Sequence, residues 1–315
     1  MDVTRIGPVF GARVAGLDLR APIDGQTIAS IKGALAEHEV LVFREQQLEA
    51  EDMLALGRGF GELLTHPFSP SAADAPELIV FDNHNENPPT LTDVWHADET
   101  FRVAPPAVTI LHALISPPLG GGTTFASMRA AYEMLSDRMK LLISGLTARH
   151  DFGRFGSLFP DTPEALRRLH EIELNFPPPS HPVVRIHPET GKPVLYVNRH
   201  FTRQINELPE EEGAAILQFL LTRPAVPELQ LTVEWTAGTL VMWDNRSVQH
   251  YARHDYFPQR RRMQRVTISG DVPAADAPSP GRLTQRLTVH NPPLQEEDAA
   301  VPRRQVLRPF ERANS

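Results

Sequence analysis

Residues 239–270 read TLVMWDNRSVQHYARHDYFPQRRRMQRVTISG, and this run begins and ends with strand-forming composition. The β-rich pieces are TLVMW (239–243) and RMQRVTISG (262–270), with His250 in the polar stretch between them. Side chains alternate across a strand, so Arg261, Met263 and Arg265 share one face while Arg260, Arg262 and Gln264 share the other. A solvated edge strand, whose charges discourage aggregation, accounts for Arg260 and Arg262. It does not account for apolar Met263 between two arginines. The alternative places Arg261 and Arg265 in a barrel interior.

Working outward, the second decisive stretch is VWHADETF (94–101). If it is extended, His96 and Asp98 project from one face while Ala97 points away. Together with His250 they could offer one ion two imidazoles and a carboxylate. Such a set leaves three coordination positions open and suits non-heme Fe(II) oxygen chemistry. Alone, H-x-D carries little weight among thirteen histidines, and a partly buried His96 bonded to its neighbouring carboxylate is the plainer reading. The company of His250 shifts that balance. His66, His84 and His254 are rivals, and His254, flanked by Arg253 and Asp255, reads as a surface residue. An Fe(II) oxygenase also needs two electrons from a co-substrate. A dicarboxylic 2-oxo acid can chelate the metal and present a distal carboxylate, for which arginine is a bidentate partner.

The rest of the chain bounds the possibilities. Its 315 residues are 41% hydrophobic, enough for a substantial core, and the formal charge of −8 gives no reason to expect nucleic acid or an anionic membrane as partner. With no cysteine, disulfides, thiolate zinc, iron–sulfur clusters and a cysteine nucleophile are excluded. The start MDVTRIGPVFGARVAG lacks a signal-peptide pattern, and no stretch approaches the roughly 18–20 apolar residues of a membrane span. A soluble, cytoplasmic protein is the expectation.

Asp24 is placed to cap a helix carrying Ile28, Ile31 and Leu35, followed by strand VLVF (40–43) and a helix around Met53, Leu56 and Phe60. Strand readings fall on ELIVF (77–81), the segment around Trp95, AVTILHAL (107–114) and LQLTVEW (229–235). HPVVRIH and KPVLYVN around PETG read as two strands and a turn, and residues 128–146 and 209–223 as helices. The predicted fold is mixed but mainly β, a double-stranded β-helix (jelly-roll) core with flanking helices. Residues 1–273 form the expected domain. Residues 274–315, rich in Pro and charge, are expected to be an extended arm or partly disordered.

These motifs taken together resemble the Fe(II)/2-oxoglutarate-dependent dioxygenases of the taurine dioxygenase family. The likeness runs in order through GARVAGLDL, DNHNENPP, WHADETF, GGGTTFAS, HPVVRIHPETGKPVLYVN and the final stretch quoted above. It implies Fe(II) held by His96, Asp98 and His250, and 2-oxoglutarate held at its distal carboxylate by Thr123 and Arg261. It implies His66 and Arg265 as contacts to an anionic substrate, with Phe201 and Phe155 in an aromatic wall. O2 is the second co-substrate, and a homodimer or homotetramer is expected. Where taurine enzymes have a tyrosine shortly after the HP motif, this chain has Ser69, and TLTDV (90–94) replaces an asparagine-rich stretch.

The expected reaction is hydroxylation of a small organic anion, with taurine or another alkylsulfonate first in order. That reaction releases sulfite and an aldehyde, with succinate and CO2 as co-products. An alkyl sulfate ester or an aryloxyalkanoate would use the same mechanism. A zinc hydrolase or a non-catalytic jelly-roll binding protein is a remoter reading, since neither calls for a 2-oxo-acid anchor.

Overall fold

The computed structural model describes residues 1–20, 22–68, 71–72 and 75–275. Ser69 and the expected C-terminal arm beyond Ala275 lie outside the described residues. In the first half the strands are β1 (Asp2–Arg5), β2 (Ala12–Ala15), β3 (Val40–Phe43), β4 (Ser71–Ala72), β5 (Ala75–Asn83), β6 (Val108–Ile115) and β7 (Thr123–Ser127). Then follow β8 (Thr147–His150), β9 (Ser180–Pro182), β10 (Val184–Ile186), β11 (Pro193–Leu195) and β12 (Thr202–Ile205). The last four are β13 (Gln230–Val233), β14 (Leu240–Asp244), β15 (Val248–Ala252) and β16 (Arg261–Ile268).

An eight-stranded sheet runs β1-β2-β3-β14-β6-β16-β5-β4, and a three-stranded sheet runs β13-β7-β15. Strand alternation gives the large sheet two different faces. Leu41, Phe43, Val108, Ile110, Leu240, Met242, Val266 and Ile268 pack on one side against α1 (Gly25–His38) and α2 (Ala50–Phe60). Val40, Val42, Leu111, Ala113, Val241, Trp243 and Met263 point the other way and meet Phe125, Val233 and Val248 of the small sheet. Each buried Val, Leu, Ile, Phe or Met side chain among these contributes roughly 1.5–3 kcal/mol. The functional groups described below sit at one end of this second layer.

Local signals explain most elements. Asp24 accepts the Thr27 N–H at 2.6 Å and starts α1, which buries Ile28, Ile31 and Leu35. β10 and β11 pair antiparallel across the PETG turn, and α6 (Glu210–Leu221) opens with three glutamates after Pro209. β16 is flanked by β6 and β5, which rules out the edge-strand alternative and favours the interior reading of Arg261 and Arg265. Two expectations need correction. The region around Trp95 forms no strand, only a backbone bridge between His96 and His250. Residues 128–146 hold two short helices, α3 (Met128–Glu133) and α4 (Asp137–Ile143), because Ser136 caps a new helix by accepting the Met139 N–H at 3.2 Å. Leu142 is consequently exposed. A further helix, α5 (Pro163–Asn175), was not anticipated. Its apolar face is short, with Ile172 as its buried residue.

Candidate metal centre and substrate cavity

His96 and His250 are brought together by main chain. Each accepts the other's backbone N–H, at 3.1 and 2.8 Å. Asp98 opens the turn that follows the bridge, and its Oδ1 lies 3.9 Å from His96 Nε2 and 3.8 Å from His250 Nε2. These separations exceed hydrogen-bond reach, yet two metal–ligand bonds of about 2 Å each would span them. His96 Nδ1 lies 2.6 Å from the Val94 carbonyl, which can only accept, so the ring carries its proton there and turns the Nε2 lone pair inward.

Protonation states fit the same task. Burial pushes both imidazoles down, His250 to about 3 with His96 adding to the effect, so the rings are neutral. Burial pushes the Asp98 carboxyl up, but Arg265, the two imidazoles and the Thr109 hydroxyl outweigh it and hold Asp98 well below the usual carboxylate range. Two neutral imidazoles and one ionised carboxylate are the donor set a divalent first-row metal takes. Thr109 on β6 donates to Asp98 Oδ2 at 2.6 Å, and Asn245 donates to Thr109 Oγ1 at 2.7 Å. Asn245 is held in turn by the Trp243 indole N–H at 2.9 Å and accepts the Asp98 backbone N–H at 3.3 Å.

On the same face of the small sheet, Thr123 lies two positions from Phe125, which pairs with His250. The Trp235 indole N–H donates to Thr123 Oγ1 at 3.0 Å. Arg261 packs against that same indole, 5.7 Å from its ring centre, and 5.8 Å from the ring of Tyr256. Arg261 is buried, and its Nε and Nη2 have no protein partner. Burial also lowers its pKa. The Gly120–Gly122 loop closes over it: Gly121 has φ +70°, and a Cβ there would stand 3.3 Å from Arg261 Cδ and 3.1 Å from Tyr256.

A cavity of about 230 Å³ opens beside His96 and Asp98 and is lined by His66, Phe68, Phe155, His200, Phe201 and Arg265 among others. Arg265 lies 3.3 Å from Asp98 Oδ1 and against the ring of Phe81. Burial pushes the His66 imidazole down to about 4. Its Nδ1 accepts the Phe68 N–H at 3.3 Å, so the neutral ring carries its proton on Nε2. Phe155 stacks on Phe68 at 4.8 Å and on Phe201 at 5.9 Å, which makes one wall continuous and aromatic. Arg260 and Arg262 point away and pair with Asp82. His254 departs from expectation: it is partly buried and bonded to Thr92 at 2.8 Å, tying down the loop before the metal motif.

The family described as Taurine catabolism dioxygenase TauD, TfdA family matches residues 2–267. The chain belongs to the TauD/TfdA family. An alkylsulfatase of Acinetobacter baylyi is 35% identical over 269 residues, covering 84% of this chain and 83% of that protein. An α-ketoglutarate-dependent sulfate ester dioxygenase of Pseudomonas putida is 32% identical over 292 residues, covering 91% and 95%. The crystal structure of a taurine dioxygenase from Burkholderia xenovorans matches with a TM-score of 0.74 at 32% identity, over 87% of this chain and 91% of that one. This TauD/TfdA chain is thus an oxidoreductase, a dioxygenase using Fe(II), 2-oxoglutarate and O2. No helix among its described residues is long and apolar enough to cross a membrane.

Sequence reading missed Thr109, Asn245, Trp235, Tyr256 and His200. Thr109 and Asn245 stand 136 residues apart, and Thr123 and Trp235 stand 112 apart, so no local spacing announces either pair. Asn245 did lie inside the quoted WDNRSVQH motif, which was its one available signal.

Proposed function

We propose that this TauD/TfdA enzyme oxidises a small alkyl sulfate ester, hydroxylating the carbon bonded to the ester oxygen. The hydroxylated product collapses to an aldehyde and sulfate, while 2-oxoglutarate becomes succinate and CO2. The observation that carries the reading is the cavity itself, where one guanidinium beside the metal triad faces an aromatic wall. An anionic head with an apolar tail suits that division. The two relatives named for sulfate esters add weight.

In this reading His96, Asp98 and His250 would hold Fe(II). When bound, the metal supplies the O2 activation that couples decarboxylation of 2-oxoglutarate to substrate hydroxylation. Thr123 and Arg261 take the distal carboxylate of 2-oxoglutarate, the buried guanidinium offering charge-assisted N–H groups. Arg265 takes the sulfate and His66 assists it. Phe155 and Phe201 pack against the alkyl part and keep water from the reacting carbon. The two facing sheets support a double-stranded β-helix, a jelly roll whose open end holds these groups.

An alkylsulfonate such as taurine is the second reading, supported by the solved taurine dioxygenase. The taurine ammonium would need a carboxylate. Asp82, Asp98 and Glu99 line the cavity, but each is already paired with an arginine. The test is succinate formation by the Fe(II)-loaded protein with alkyl sulfates, alkylsulfonates, taurine and aryloxyacetates. Sulfate release from an alkyl sulfate is the expected result. Sulfite release from a sulfonate alone would reverse the order, and turnover without O2 or 2-oxoglutarate would overturn the mechanism.

A further inference from the structure

We propose that Trp235 is a positioning residue for 2-oxoglutarate, acting on both groups that hold its distal carboxylate; this rests on the assignment of Thr123 and Arg261 above. An indole N–H can only donate. Because it donates to Thr123 Oγ1 at 3.0 Å, the Thr123 hydroxyl proton must turn to another acceptor. Thr123 is buried, 2% exposed, so an incoming carboxylate is the partner that this orientation serves. A freely rotating hydroxyl would lose that direction.

The same indole also supports the arginine. Its ring centre is 5.7 Å from the Arg261 guanidinium carbon, and the Tyr256 ring is 5.8 Å from it on Arg261's other contact. A guanidinium resting on aromatic rings is held by cation–π attraction and packing without using up its N–H groups. Arg261 Nε and Nη2 accordingly have no protein acceptor although the residue is buried. Asp255 completes the support: its Oδ1 accepts the Gly121 N–H at 2.7 Å and pins the glycine loop against Arg261 and Tyr256. Trp235 itself lies in the core with Phe125 and Met263, so it is fixed before any ligand arrives. One rigid side chain therefore orients a neutral donor and holds a cationic one.

The decisive variant is Trp235→Phe, which keeps a ring beneath Arg261 and removes the N–H. The readouts are the anaerobic calorimetric Kd for 2-oxoglutarate with Fe(II)-loaded protein, and the KM values for 2-oxoglutarate and for the prime substrate. We expect the 2-oxoglutarate Kd and KM to rise about tenfold, the size of one lost oriented hydrogen bond, with the prime-substrate KM unchanged. Adding Trp235→Phe to Thr123→Val should cost nothing more, because the hydroxyl it orients is gone. Equal rises in both KM values, an unchanged 2-oxoglutarate Kd, or additive losses in the double variant would each overturn the proposal. If Trp235→Phe does not fold, the indole N–H resonance of Trp235 replaces it. That resonance should respond to 2-oxoglutarate in the wild type and not in Thr123→Val, and an absent wild-type response overturns the proposal. Wild-type protein that binds no 2-oxoglutarate would instead refute the underlying site assignment, so the two failures are distinct.

Discussion

Among the described residues two clusters combine histidine with carboxylate: His96, Asp98 and His250, all buried, in one, and buried His187 and Asp244 with exposed Glu189 in the other. Their chemistry differs because of what fills the space between the groups. In the second cluster Arg246 donates to both Asp244 oxygens at 2.8 and 2.6 Å and to both Glu189 oxygens at 3.0 and 3.1 Å. His187 sends Nε2 to Asp244 at 3.0 Å, while its Nδ1 accepts the backbone N–H groups of Glu189 and Thr190. Both ring nitrogens are used, and the proton sits on the side facing the carboxylate. His96 is the opposite tautomer: the Val94 carbonyl holds its proton on Nδ1, leaving a lone pair aimed at Asp98. A lone pair and a carboxylate attract nothing from each other, but both attract a cation. Residue types alone therefore do not mark a metal centre. The tautomer decides it, together with how far an arginine occupies the carboxylates: Arg246 engages both oxygens of Asp244 and of Glu189, whereas Arg265 reaches Asp98 at Oδ1 alone, at 3.3 Å.

Four substitutions would sharpen or break this contrast. The largest effect belongs to Asp98→Ala, which should reduce 2-oxoglutarate-dependent turnover to background and remove Fe(II) from the purified protein while circular dichroism stays native. Full iron stoichiometry in that variant would end the metal assignment. Asp244→Asn should do the reverse, lowering stability by about 1–3 kcal/mol because it removes the buried charge facing Arg246 and His187 and leaves Arg246 the Glu189 carboxylate, with iron content per folded molecule unchanged. Chemical denaturation and metal analysis on one sample measure both. Arg261→Ala should raise the KM for 2-oxoglutarate by up to about a hundredfold, the worth of charge-assisted hydrogen bonds. If the prime-substrate KM moves instead, the roles of Arg261 and Arg265 are exchanged. The smallest effect is expected from Thr109→Val, near-isosteric but unable to orient Asp98, with Fe(II) affinity falling about tenfold as for other outer partners of metal ligands. An affinity unchanged in competition with a chelator would show that Asn245 and the backbone suffice.

Much of the frame is legible in the sequence. The alternation in β16 sorted Arg261, Met263 and Arg265 from Arg260 and Arg262, and the structure puts Met263 in the core while Arg260 and Arg262 reach Asp82. Asp24 announced α1 because a cap and an apolar stripe three and four residues apart are local signals. The break between α3 and α4 is hidden in the sequence because Leu135, Met139 and Leu142 continue a helical spacing across it, while the capping by Ser136 is a single-residue event. The charge run of β16 leaves an edge strand open as an alternative, because its neighbours β6 and β5 are set by long-range pairing.

By itself the sequence determined the inventory and the local geometry: strand faces, helix starts, the close spacing of His96 and Asp98, and the absence of cysteine chemistry. These follow from backbone periodicity and side-chain chemistry, which act over a few residues. Only the tertiary structure decided which groups meet. The His96–His250 bridge, the Asn245–Thr109–Asp98 chain and the Trp235 contact with Thr123 and Arg261 all join distant segments. Such contacts arise when two sheets bury their apolar faces against each other, and that burial depends on the whole chain.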